Sequence, residues 1–286
     1  MTAPNAFSSR PPLARPPVVL VHGALNDPRV WQPTLERLQA SGWTVLTPAL
    51  PGHVPSPEGA GKPAAMPTHL RDTARLLRQH LADQGVGSAL WVGHSMGSLI
   101  ALEAAGMDVP DNSPSHTAHR VLGLVLVGTA WPMRVTPSLL EMARNDPARA
   151  IEVISGYSHA RREPELLQKT AAMMRDVLAC GRFAAGSTGQ PALNLLEHDL
   201  GLCDGYRDGF ETAARIRCPS RIIAGRMDRM TPADQALGLA AALGAPIETL
   251  EGVGHTLMHD DPHGFAAALI RALDQISPAA QGTEPA

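Results

Sequence analysis

Six short runs of β-branched and aliphatic residues recur between longer helical patterns, and this alternation limits the possible folds more than any other feature. The runs are residues 17–21, 43–47, 89–93, 121–127, 220–224 and 247–250. Each is too short to favour a helix. Each is also almost continuously apolar, as expected of strands covered on both faces in a parallel sheet. Between them, residues 34–40 place Leu35 and Leu38 on one helical face. Residues 69–81 space Leu70, Ala74, Leu77 and Leu81 helically, with Arg71, Arg75 and Arg78 expected to face outward. Residues 234–243 and 263–276 repeat the pattern. The order predicts an α/β fold: a doubly wound, mostly parallel sheet of about six strands.

One stretch breaks the order. Residues 131–215 hold no convincing strand, only helical patterns at 137–144, 147–154, 163–178 and 191–196. That is too long for an ordinary connection, so it predicts a helical cap inserted into a core of residues 17–130 and 216–276. Residues 1–16, rich in Pro, Ser and Arg, and the small polar residues 277–286 are expected to be disordered tails.

Composition bounds the function. The 286 residues are 44% hydrophobic but only 3% aromatic, so the core must be mainly Leu, Val, Ile, Ala and Met. A net charge of −3 without a Lys/Arg cluster argues against a nucleic-acid partner. No window has the apolar length of a membrane span, and no apolar run precedes Val18, so no membrane partner and a cytoplasmic location are expected. Cys180, Cys203 and Cys218 form no C-x-x-C pair and read as reduced thiols. Gly59-Ala60-Gly61-Lys62 is not a phosphate loop, because Ser56 and Pro63 stand where that motif needs Gly and Ser or Thr.

The most informative motif is Gly93-His94-Ser95-Met96-Gly97, directly after the third run and before an apolar helical pattern. This strand–turn–helix setting presents a serine at a sharp, strained turn, with a helix N-terminus aimed at any developing oxyanion. Serine alone is a weak nucleophile and needs a base oriented by an acid. Asp228 follows the fifth run and His255 the sixth, both where loops at the carboxyl ends of parallel strands converge. Rival groups fit less well. His259 could pair with His255 on a metal, but Gly254 indicates a loop rather than a two-histidine helix, so no metal is expected. Asp199, Asp204 and Asp208 are expected to be surface charges, and Asp234 falls on a helix. For the oxyanion, the backbone N–H groups of Met96 and Ala24 are the candidates, with Leu25 as substitute and Gly23 letting the chain turn. His94 is expected to line the pocket or support the turn.

With these residues in place, the chain resembles the α/β-hydrolase superfamily, in its capped, esterase-like group, from about residue 17 to 276. The resemblance rests on His22-Gly23, Leu50-Pro51-Gly52-His53, Gly93 to Gly97, Gly225 to Asp228 with Pro232, and Gly254-His255. It implies a Ser95–Asp228–His255 triad and no cofactor. The leading expectation is hydrolysis of a small carboxylic ester through an acyl-enzyme, by a monomer or homodimer. Thioester, amide or carbon–carbon cleavage, acyl transfer, or a non-catalytic receptor-like role would use the same frame. Serine at position 95 argues against the branches with a carboxylate nucleophile. His22, Gly23, His94, Trp131 and Met133 are expected at the substrate, with Met142, Tyr157 and Met173 as further lining. Two features depart from the family. Val54 replaces a glycine in the loop after the second strand, and residues 1–16 offer no N-terminal hairpin.

Overall fold

The computed structural model describes residues 15–54, 66–108, 119–180 and 194–277. The predicted tails, apart from their innermost residues, the glycine-rich 59–62 segment and the start of the 191–196 pattern lie outside these residues. Among the described residues the sheet has six strands, all parallel, in the order β2-β1-β3-β4-β5-β6. They are β1 (Val18–Val21), β2 (Val45–Leu46), β3 (Ser88–His94), β4 (Arg120–Val127), β5 (Ser220–Gly225) and β6 (Ile247–Leu250). β2 is shorter than its apolar run because it pairs only with Val18 and Val19, and Pro48 then removes a ladder donor.

Helices cover both faces. Val19 and Val21 of β1 pack toward α2 (Leu70–Asp83) and α3 (Met96–Gly106), whereas Val18 and Leu20 pack toward α1 (Gln32–Ala40) and the C-terminal helix. The alternation along β1 follows from the two-residue period of a strand. α2 differs from expectation at Arg78, which is buried rather than outward-facing. Its aliphatic stem lies in the interface, and its guanidinium donates to the carbonyls of Ala104 and His119 and to Asp108 at 2.6 Å. A cation is favoured there because Ala104 belongs to the last turn of α3, where helix carbonyls lack intrahelical donors.

Between β4 and β5 the described chain is helical: α4 (Pro137–Asn145), α5 (Pro147–Ser158), α6 (Pro164–Cys180), α7 (Leu195–Gly205) and α8 (Gly209–Arg215). Proline stands in the first turn of α4 and α5, each behind a Thr136 or Asp146 side-chain cap, and these local signals start the helices. α7 runs well past the predicted pattern and α8 was not predicted at all, since Gly201, Gly205 and Gly209 mask their periodicity. The inserted helices have their own core, including Ala143, Ile151, Val177, Leu195 and Leu200, and Leu25 of the β1 loop joins it. The chain finishes with α9 (Leu237–Leu243), α10 (Leu257–Asp260) and α11 (Pro262–Ile276). Among the described residues, no helix is long and apolar enough to cross a membrane.

Candidate active site

The strand order reverses between β1 and β3, and a crevice forms beyond the carboxyl ends of strands at such a point. Ser95 sits there, directly after β3, with φ 54° and ψ −122°. A non-glycine residue rarely holds a positive φ, and here the turn is locked from both sides. Ser95 N donates to Val127 O at 2.9 Å, and Ser95 O accepts from Ser98 N and, at 2.6 Å, from Ser98 Oγ.

His255 follows β6 and is buried. Its Nδ1 lies 2.8 Å from Asp228 Oδ2, so Nδ1–H donates to the carboxylate and Nε2 is left free. Asp228 is held by more than this ring. Its Oδ1 accepts from Met230 N and Thr231 N, both at 2.8 Å, and its Oδ2 lies 2.8 Å from Thr231 Oγ1. Burial alone would raise the Asp228 pKa. The charge and hydrogen bond of His255 and the donors of Thr231 outweigh it, and the carboxyl stays below its ordinary range.

Thr231 is a neighbour of this pair that sequence reasoning missed. Its hydroxyl also lies 3.0 Å from His255 Nδ1 and 3.0 Å from Gly128 O. The available signal was its place three residues past the candidate acid and directly before Pro232.

Ser95, His255, Ala24, His94 and Met133 line one cavity of about 460 Å³, a volume suited to a small molecule. Its inner wall includes Met142, Ile154, Met174, Leu196 and Leu200 from the inserted helices. Arg134 and Arg229 also face it, and no aspartate or glutamate does among the described residues. Arg229 is committed to the carbonyls of Gly156 and His159 and to the face of Tyr157.

Four residues expected at or around the substrate lie off this lining. His22 is wholly buried behind it, with Nδ1–H donating to Gly23 O and Nε2 accepting from Leu50 N. Burial, with the adjacent His53, pushes its pKa down to about 3. Gly23 does not supply a left-handed turn, because the positive φ in this loop belongs to Leu25, at 47°. Glycine at 23 instead leaves room for a close approach, since a Cβ there would lie a tight 3.1 Å from Ser95 Cβ. Trp131 packs against Tyr206 and Phe210 instead, with ring centroids 5.1 and 5.8 Å away. Met173 is in the core beneath the sheet, and its neighbour Met174 reaches the cavity.

His94 donates from Nε2 to the His255 carbonyl at 2.9 Å, and its Nδ1 has no partner. Burial and the nearby His255 push its pKa down to about 3, so the ring is neutral and serves to hold the His255 backbone. His259 is likewise committed, with Nε2 donating to Val30 O at 3.1 Å.

The loop after β1, the candidate oxyanion loop, also departs from expectation. Leu25 N is already bound to Asp199 Oδ2 at 2.8 Å, which removes it as a substitute donor. Ala24 N and Met96 N donate to no described residue. Asp199 is thus a buried anion, not a surface charge. Asp204 accepts from Val135 N, and only Asp208 of the three is exposed.

A family model described as the alpha/beta hydrolase family matches residues 18–268. The chain is 30% identical over 282 residues to the pimeloyl-(acyl-carrier protein) methyl ester esterase of Xanthomonas campestris pv. campestris, covering 89% of this chain and 96% of that one. A like-named esterase of Stenotrophomonas maltophilia is 27% identical over 292 residues, covering 93% and 96%. Among solved structures, an esterase from Exiguobacterium antarcticum superposes with a TM-score of 0.70 at 18% identity, covering 91% of this chain and 92% of that one, a likeness of fold. The chain belongs to the alpha/beta hydrolase family and is a hydrolase of the carboxylesterase-like kind.

Proposed function

We propose that this hydrolase cleaves carboxylic esters with an apolar acyl chain through a covalent acyl-enzyme on Ser95. One observation carries the reading: Ser95 and the Asp228-held His255 line the same cavity, with His255 Nε2 left free by the Nδ1–Asp228 bond. His255 Nε2 takes the Ser95 proton as Oγ bonds to the ester carbonyl carbon, and the oxygen gains charge between Ala24 N–H and Met96 N–H. His255 then returns the proton to the departing alkoxide as the carbon–oxygen bond breaks. A water, deprotonated by His255, attacks the acyl-enzyme, and Ser95 leaves with the proton restored. Asp228 stays ionised throughout, fixing the ring and balancing its transient charge.

The inserted helices act as a cap that walls the acyl site. Their Met- and Leu-rich lining favours a flexible aliphatic chain, and the absence of acidic lining among the described residues places no repulsion on an anionic group at the mouth. The curated relatives are named for a methyl ester of a dicarboxylic acyl chain, which supports a short alcohol and a medium-length acyl group here. Methyl and p-nitrophenyl esters of graded acyl length, assayed with wild type and Ser95→Ala, test the reading. Activity peaking at medium chains and lost in Ser95→Ala is expected. Equal turnover by the variant, or none by either protein, would refute it. Labelling of wild type but not Ser95→Ala by a fluorophosphonate separates a catalytic serine from a receptor-like site.

A further inference from the structure

We infer that Asp199, on an inserted helix, is a positioning residue for the oxyanion loop: its buried carboxylate holds Leu25 N–H and thereby fixes the peptide that follows Ala24. The inference rests on the proposed role of the Ala24 N–H. Leu25 is tied to the insertion twice. Its backbone N–H donates to Asp199 Oδ2 at 2.8 Å, and its side chain is fully buried among Ile151, Leu195 and Leu200. Its φ of 47° lies in the left-handed region, which a γ-branched residue leaves unless something holds it. A buried, charge-assisted hydrogen bond is a strong restraint of that kind. If it were released, Leu25 would relax toward negative φ and rotate the Ala24–Leu25 peptide, carrying the loop off the oxyanion position.

The carboxylate is itself held in place. His53 Nε2 lies 2.9 Å from Asp199 Oδ2, and His198 Nδ1 lies 3.3 Å from Oδ1. The other nitrogens face carbonyls: His53 Nδ1 is 3.0 Å from Pro51 O, and His198 Nε2 is 2.8 Å from Pro67 O. Each ring therefore meets an acceptor at both nitrogens, and only the imidazolium satisfies both. Burial lowers both pKa values, but the charge and hydrogen bonds of Asp199 outweigh it and raise them. Asp199 in turn is held below its ordinary range by the two rings and by Leu25 N–H, against the effect of burial. The oxyanion loop, the loop after β2 and α7 thus meet on one carboxylate, so the seating of the insertion and the alignment of the Ala24 peptide are coupled.

Asp199→Asn keeps the shape and removes the charge. Wild type, Asp199→Asn, His53→Gln and Ser95→Ala would be compared on a p-nitrophenyl ester, with active sites counted by fluorophosphonate labelling. In Asp199→Asn, kcat per labelled site should fall by roughly tenfold or more, with KM changed by less than about twofold. Binding of a trifluoromethyl ketone, whose serine adduct carries an oxyanion, should weaken in parallel. His53→Gln should lower kcat per site in the same way but by less. A purely structural role would reduce the number of sites and leave kcat per site unchanged, which would overturn the inference. If Asp199→Asn does not fold, His53→Gln carries the test, and unchanged turnover per site again overturns it. Full activity in Ser95→Ala would instead overturn the serine mechanism, and this inference with it. Loss in Ser95→Ala alongside intact turnover in Asp199→Asn removes only the role of Asp199.

Discussion

Acid should destabilise this protein partly through His22, and the size of the effect follows from the hydrogen bonds of its ring. His22 accepts from Leu50 N–H at Nε2, so the folded state binds the neutral form and its pKa lies at about 3 rather than 6.5. Below pH 6.5 the unfolded chain takes up a proton that the folded chain refuses. Stability is therefore lost progressively as pH falls from 6.5 toward 3. At pH 5 the unfolded ring is nearly all protonated, and the loss from this one group is about 2 kcal/mol relative to pH 7.5. His22→Gln retains an acceptor for Leu50 N–H and does not titrate. Urea unfolding of both proteins at the two pH values isolates the term, because His94 and His259, with pKa values of about 3 and 4, titrate in both and cancel. The stability difference between variant and wild type should move by about 2 kcal/mol in the variant's favour at pH 5. A pH-independent difference would refute the neutral His22, and a shift in the opposite direction would mean that the folded ring carries a charge.

Thr231→Val removes a hydroxyl partner of Asp228 and His255, and should lower kcat/KM by roughly tenfold. A kcat/KM equal to that of wild type would count against the role of Thr231. Gly93→Ala would set a Cβ 2.1 Å from Gly97 O and 2.6 Å from Ser98 Cα, both backbone, so the turn at Ser95 must open. A loss of about 1–3 kcal/mol or more in urea unfolding is expected, with slower fluorophosphonate labelling. Wild-type stability and labelling would show that the turn yields.

Local pattern was enough for the sheet. All six runs became parallel strands, because short apolar β-branched segments bounded by Gly and Pro carry their own preference. The same locality placed Ser95, Asp228 and His255, each just past a strand, where the end of an apolar run marks the end of the sheet. Chain order then sent all three to the carboxyl-end face. The helical starts in the insertion were legible for a similar reason, since Pro137 and Pro147 follow capping residues.

Contacts distant in sequence were not legible. Asp199 looks like one more acid on a polar helix until Leu25, 174 residues away, and His53, 146 away, close on it. Arg78 shares the helical spacing of the exposed Arg71 and Arg75, but the last turn of α3, Asp108 and the His119 carbonyl draw it inward. Met174 rather than Met173 meets the cavity, because periodicity specifies which residues share a helix face but not what that face touches. The amino-acid sequence by itself determined the strand–helix order and the candidate reactive trio, for these follow from preferences within a few residues. Tertiary structure alone decided which polar groups are buried, how the loop after β1 is held and what lines the pocket. Those depend on the free energy of pairing groups that only folding brings within hydrogen-bond reach.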